Sequence, residues 1–150
     1  MFEKLLVPVD GSSCSMRAVE TAIEMALCHQ SSIHLVHVIR DLSLPKEILD
    51  MMAAGEVTAS RMQILNDSAE LILSRAREKC KAAGVDRISS ECIIGDPTTK
   101  ILEVGAAQEV DLIVLGQRGL APHDNLLGGV ARKILNMTKI SCLVVAGPPG

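Results

Sequence analysis

Between Asp111 and Gly116 runs Leu-Ile-Val-Leu, an unbroken apolar stretch bounded by turn-forming residues and too short to stand as a helix. A strand with no polar position has no face to give to water, so it belongs in a parallel sheet covered on both sides. Parallel strands are joined by crossover connections, usually helical. The rest of the chain must therefore alternate between the two patterns.

It does so throughout. Lys4 to Val9 is apolar and ends in Asp10-Gly11-Ser12-Ser13, a turn that carries N-cap candidates for a helix. Ala18, Ala22, Ile23 and Ala26 then recur at helical spacing, small enough for close packing on a sheet, and the helix stops near His29-Gln30. Ile33 to Ile39 reads as a second strand. His34 and His37 fall on its opposite faces, which disfavours a two-histidine metal site and gives both structural roles. A methionine-rich stretch, Ile48 to Ala54, reads as a flap on the core. An amphipathic run from Val57 to about Ala83 then carries Met62, Leu65, Ala69, Ile72, Ala76 and Cys80 on one stripe and stops at Gly84. Ile88 to Ile94 suits a third strand. Gly95-Asp96-Pro97 sets an N-cap acid before a proline at the first helical position, opening a helix that ends near Gln108. A last helix near Gly129 to Met137 and a last strand, Ser141 to Ala146, complete the pattern.

The predicted fold is α/β: a five-stranded, mostly parallel sheet of expected order 3-2-1-4-5 with helices on both faces. A chain of 150 residues with 48% hydrophobic content fits one domain, residues 1–150. Ligands in such folds sit at the carboxyl ends of the strands where strand order reverses. That directs attention to the residues after Val9 and after Leu115.

Composition narrows the ligand. A net charge of −3, with Lys and Arg scattered singly among acids, argues against nucleic acid as a partner. Phe2 is the only aromatic, so a ring-shaped ligand must be held by aliphatic walls and backbone groups. The amino-terminal residues do not read as a secretory signal and no apolar run approaches membrane-spanning length. The expectation is a soluble, cytoplasmic protein without a membrane partner. Five cysteines, widely spaced and without a Cys-x-x-Cys pair, read as reduced thiols, most of them buried small hydrophobes. Cys14, at a helix start, is the exception to watch.

After the fourth strand come Gly116-Gln117-Arg118-Gly119 and, nine residues on, Gly128-Gly129-Val130 at the start of the last helix. Glycines let backbone approach a phosphate, and the amides of a helix start favour an anion. Arg118 and Arg132 are candidate charges beside that cradle. No Walker lysine motif or paired-carboxylate constellation accompanies it, so no catalytic residue and no metal ligand is assigned. His123-Asp124 reads as an exposed loop pair.

The chain resembles the universal stress proteins in Leu5-Leu-Val-Pro-Val-Asp10-Gly-Ser12, His37-Val38-Ile39, Gly95-Asp96-Pro97, Leu115-Gly-Gln-Arg-Gly119 and Cys142-Leu-Val-Val, together spanning nearly all of it. That resemblance implies an adenine nucleotide alpha hydrolase-like fold and a site for ATP or a related adenine nucleotide, with or without Mg²⁺. By the same resemblance Val9 and Val38 line the adenine pocket, Asp10 holds the ribose or base side, and Pro8 is counted among the nucleotide-binding residues. Gly116 and Gly119 border the ribose and phosphates, and Arg118, Gly128, Gly129 and Val130 are further nucleotide-binding candidates. ATP-binding members carry Gly-x2-Gly-x9-Gly-Ser/Thr. Here the third glycine is either Gly129, followed by Val130, or Gly128, followed by Gly129 after a loop one residue shorter. The second keeps Leu126, Leu127 and Val130 in family register and is preferred. Neither supplies the phosphate-binding hydroxyl.

Two functions follow from the resemblance: a nucleotide-responsive stress or signalling module, or an interaction protein whose ATP site has degenerated. It also implies a homodimer paired through the last strand, Cys142 to Ala146, an apolar edge that needs cover.

Overall fold

The computed structural model describes residues 1–40, 58–120 and 127–148. Ile48 to Ala54 and His123-Asp124 lie outside the described residues. Five strands, β1 (Lys4–Pro8), β2 (Ser32–Arg40), β3 (Ile88–Gly95), β4 (Leu112–Gly116) and β5 (Ser141–Val145), alternate with helices α1 (Ser13–His29), α2 (Thr58–Ala82), α3 (Pro97–Ala107) and α4 (Gly129–Met137). All strand pairs are parallel, in the order β3-β2-β1-β4-β5. The expected order holds, and its reversal falls between β1 and β4.

Alternation along the strands divides the core between the two faces of the sheet. Leu5, Val7, Val9, Ile33, Leu35 and Val114 pack against Ala18, Val19 and Ala22 of α1 and Leu73, Ala76 and Cys80 of α2. Leu6, Val36, Ile113 and Leu115 face Ile101 and Val104 of α3 and Ala131 and Ile134 of α4. Leu112 to Leu115 are buried on both sides, as their unbroken apolar run requires. On α2 the buried seam is Ala69, Leu73, Ala76 and Cys80, whereas Leu65 is 39% exposed. Leu73 thus takes the core place that the sequence stripe assigned to its neighbour Ile72, which is half-buried and packs against the same core.

Helix ends follow local chemistry. Ser12 caps α1, its side chain accepting from the Ser15 amide, and Asp96 caps α3, accepting from the Thr99 amide, with Pro97 in the first turn. Gly84, at φ +98°, turns the chain out of α2 in a conformation that side-chain-bearing residues disfavour. Burial of the cysteines departs from expectation. Cys14 and Cys80 are buried, Cys142 is half-buried, and Cys28, near the end of α1, and Cys92, on the edge strand β3, are exposed. Burial pushes the Cys80 thiol up to about 11, which keeps it protonated and inert.

One tie at the opposite rim makes a test. Asp111 accepts the Glu3 and Lys4 amides at 2.9 and 3.0 Å, fastening the start of β1 to that of β4. Desolvation raises its pKa, but these backbone bonds outweigh it and hold the carboxyl below its ordinary range. A depressed folded pKa stabilises above the unfolded value and the effect is lost as pH falls through the folded one. Asp111→Ala should therefore cost about 1 kcal/mol at pH 7, the low end for an exposed charged acceptor. In urea melts the gap from wild type should close as pH drops below about 4.

Candidate functional site

At the carboxyl ends of β1, β2 and β4 the sheet opens into a cleft of about 690 Å³. Pro8, Val9 and Asp10 form its floor, Val38 one end, and Gly116, Arg118, Gly119, Gly128, Gly129 and Val130 the other. The structure thus brings all ten sequence-selected residues to one concavity at the strand-order reversal.

Asp10 is not the helix cap. One carboxylate oxygen accepts the Ser12 amide at 2.8 Å, closing a tight turn. Its other oxygen, Oδ2, lies 2.9 Å from where a Cβ on Gly119 would stand. The acid therefore sits against the glycine turn and keeps one oxygen free of that internal bond. A Cβ at Gly116 would meet the Cys14 carbonyl carbon at 2.9 Å, so glycine here lets β4 end against the first turn of α1.

The two ends of the 117–128 loop are joined. The Gln117 amide donates to the Val145 carbonyl at 2.8 Å, and the Gly128 amide donates to the Gln117 carbonyl at 2.7 Å. Gly128 is buried, its absent Cβ 3.3 Å from the Arg118 Cα and the Gln117 oxygen, while a Cβ on Gly129 would meet nothing within 4 Å among the described residues. Close approach is thus required at 128 and not at 129, which agrees with the shorter-loop register. Gly128 caps α4 without a side-chain hydrogen bond, and no acid occupies the first turn. The α4 amino end remains an electropositive rim of the cleft.

The arginines divide. The guanidinium of Arg118 rests beside Gly147, its Nη2 3.1 Å from where a Cβ there would stand, so the residue lines the cleft while its tip reaches the carboxyl-terminal segment. Arg132 is exposed and is not among the residues lining the cleft. Arg40, which the sequence reading passed over, does line it. Two bonds from Thr99, backbone and side chain, hold the Asp96 carboxyl below its usual range, and Lys133 and Arg40 add to that effect. Positive charge therefore gathers where β2 ends and α3 and α4 begin.

His37 was also missed as a cleft residue. Its Nδ1 lies 2.7 Å from the Val9 carbonyl, which can only accept, so Nδ1 carries the proton. The imidazole gives the cleft a planar wall that a search for metal pairs and aromatic residues did not reveal. His34 is structural, as expected, bonded at 2.6 Å to both Ser89 and Glu91 of β3.

Among the described residues no group of three metal-ligating side chains occurs, and Asp10 is the carboxylate lining the cleft. One carboxylate suits a Mg²⁺ that arrives on nucleotide phosphates, since that ion is commonly held by few carboxylates and keeps much of its water. No described helix is long and apolar enough to cross a membrane.

Comparison with known proteins places this geometry in context. The family model described as the universal stress protein family matches residues 1–146. Universal stress protein YxiE of Bacillus subtilis is 29% identical, over 97% of this chain and 99% of its own length. A solved structure described as the hypothetical protein MJ0577 superposes with a TM-score of 0.83 at 19% identity, covering 100% of this chain and 99% of the other. A universal stress protein solved in complex with cAMP gives a TM-score of 0.71 at 25% identity, with 97% of each chain covered.

Proposed function

The chain belongs to the universal stress protein family, and we propose that it binds an adenine nucleotide, ATP or a related one, as a nucleotide-responsive cytoplasmic stress or signalling module. The observation that supports this reading is the convergence of Pro8, Val9, Asp10, Val38 and the Gly116–Val130 glycines on one cleft at the β1/β4 reversal. A related protein solved with cAMP lends the ligand class.

Charge and shape give each part a role. The α4 amino end and the turn at Gly119 take the phosphate, Asp10 Oδ2 takes a ribose hydroxyl, and the aliphatic walls at Val9 and Val38 sandwich the base. Backbone groups on a parallel strand alternate between its two neighbours. Those of Ser32 and Val36 meet β1, through Ser32 N–H to Glu3 and Val9 N–H to Val36, so those of Val38 point the same way. The β1–β2 pairing ends at Pro8 and Val36, and Val38 therefore offers a donor and an acceptor to the edge of a base.

The edge position of β5 supports a homodimer, because Cys142 to Val145 stay partly exposed with apolar side chains. The missing hydroxyl at 129 favours a second reading, a nucleotide-independent interaction protein.

Calorimetric titration of nucleotide-stripped protein separates the two. Binding of AMP, cAMP or ATP at about 10 µM or tighter, near −7 kcal/mol, and weakened about tenfold by Asp10→Ala, is the expected result. GTP serves as the control, and ATP is run with and without Mg²⁺. No binding by folded protein would pass the function to the second reading. Sedimentation of the same sample should give twice the chain mass; a monomer at high concentration would remove the dimer.

A further inference from the structure

The Val9 carbonyl is where the β1–β2 ladder should take its next step. Val9 donates to Val36 at 2.8 Å, and regular parallel pairing would then send the Val38 amide to the Val9 carbonyl. That bond does not form among the described residues. The carbonyl instead accepts from the His37 imidazole at 2.7 Å. The side chain of one residue has displaced the backbone of the next.

We propose that His37 is a positioning residue: its Nδ1–H occupies the Val9 carbonyl, ends the β1–β2 ladder there, and leaves the Val38 N–H and C=O free to read the edge of an adenine base. The proposal rests on the nucleotide reading above and names the device that gives the site its base preference. Adenine presents an acceptor at N1 beside a donor at N6, which complements one free N–H and one free C=O. Hypoxanthine presents the reverse pair, a donor at N1 and an acceptor at O6. If the Val38 amide were drawn into the ladder, half of that discrimination would go.

The placement of the ring fits the role. Residue 37 has the parity of Ile33 and Leu35, whose side chains pack with α1 and α2, while Val38 turns with Val36 toward α3 and α4. The imidazole therefore reaches Val9 from one side of the sheet without obstructing the Val38 face. His37 stays half-buried on the cleft wall.

Two substitutions and two measurements test this. His37→Asn keeps a donor near the Nδ1 position, and His37→Leu removes it. In ligand-free wild type, the Val38 amide should exchange with solvent about a hundredfold faster than that of Val36, read by NMR. His37→Leu should slow it as the ladder closes, and His37→Asn should not. Titrated with AMP and IMP, His37→Leu should lose about tenfold of the wild-type preference for AMP, while His37→Asn stays within about threefold. The proposal is overturned if Val38 is as protected as Val36 in wild type, or if folded His37→Leu keeps the preference. A wild type that binds AMP while His37→Leu keeps full selectivity removes this proposal alone. A wild type that binds neither nucleotide removes the parent reading and this one with it.

Discussion

Gly116→Ala is expected to destabilise the protein by about 3 kcal/mol, the upper range for forcing volume into a packed site. It should also abolish nucleotide binding in a titration. The added methyl would stand 2.9 Å from the Cys14 carbonyl carbon and 3.0 Å from its oxygen and Cβ. Backbone has no rotamer to yield, so relief requires moving the first turn of α1 away from the end of β4. Asp10 and the N-cap Ser12, joined at 2.8 Å, lead directly into that turn. A displacement of the helix start pulls on the turn before it and shifts the acid that faces Gly119. Urea melts and calorimetry on the same preparation check both effects. A variant of wild-type stability would show that α1 adjusts freely and that the close approach carries no function.

Gly129→Ser makes the opposite prediction, a gain. A Cβ there meets no atom of the described residues within 4 Å, so among them the substitution is accommodated without repacking. Gly129 lines the cleft at the α4 amino end, and a hydrogen bond from a hydroxyl there to a charged phosphate would contribute roughly 1.5–3 kcal/mol. ATP affinity should rise tenfold or more, since about 1.4 kcal/mol corresponds to a factor of ten, with AMP affected less. Unchanged ATP affinity in a folded variant would mean that the polyphosphate does not run past position 129. The missing hydroxyl would then not separate this chain from ATP-binding members of its family.

Much of this was open to reading in the residues. The unbroken Leu112–Leu115 run could only be a strand covered on both faces, and the four-helix alternation followed from crossover geometry. Asp96-Pro97 announced a helix start that the structure forms with the expected cap. The cleft position of Asp10 and the glycines was legible because strand ends at an order reversal meet in space. What stayed hidden depends on long-range contact. Ile72 and Leu73 are adjacent apolar residues on α2, and only the packing of the helix on the sheet decides which is fully buried. His37 looked like one of two strand histidines, because nothing in a sequence shows that β1 stops short of Val38. The direction of the Arg118 tip, folded against Gly147, is likewise set by a segment almost thirty residues away.

Gln117 joins the edge strand to the glycine loop through its own amide and carbonyl, to Val145 on one side and Gly128 on the other. Neither bond uses the side chain. An alanine scan of the loop would therefore pass over this position, recording tolerance where the architecture has a junction. The join is carried in main chain alone, and among ordinary replacements proline, which lacks the amide hydrogen, is the one that breaks its arm to Val145, while the carbonyl still accepts from Gly128.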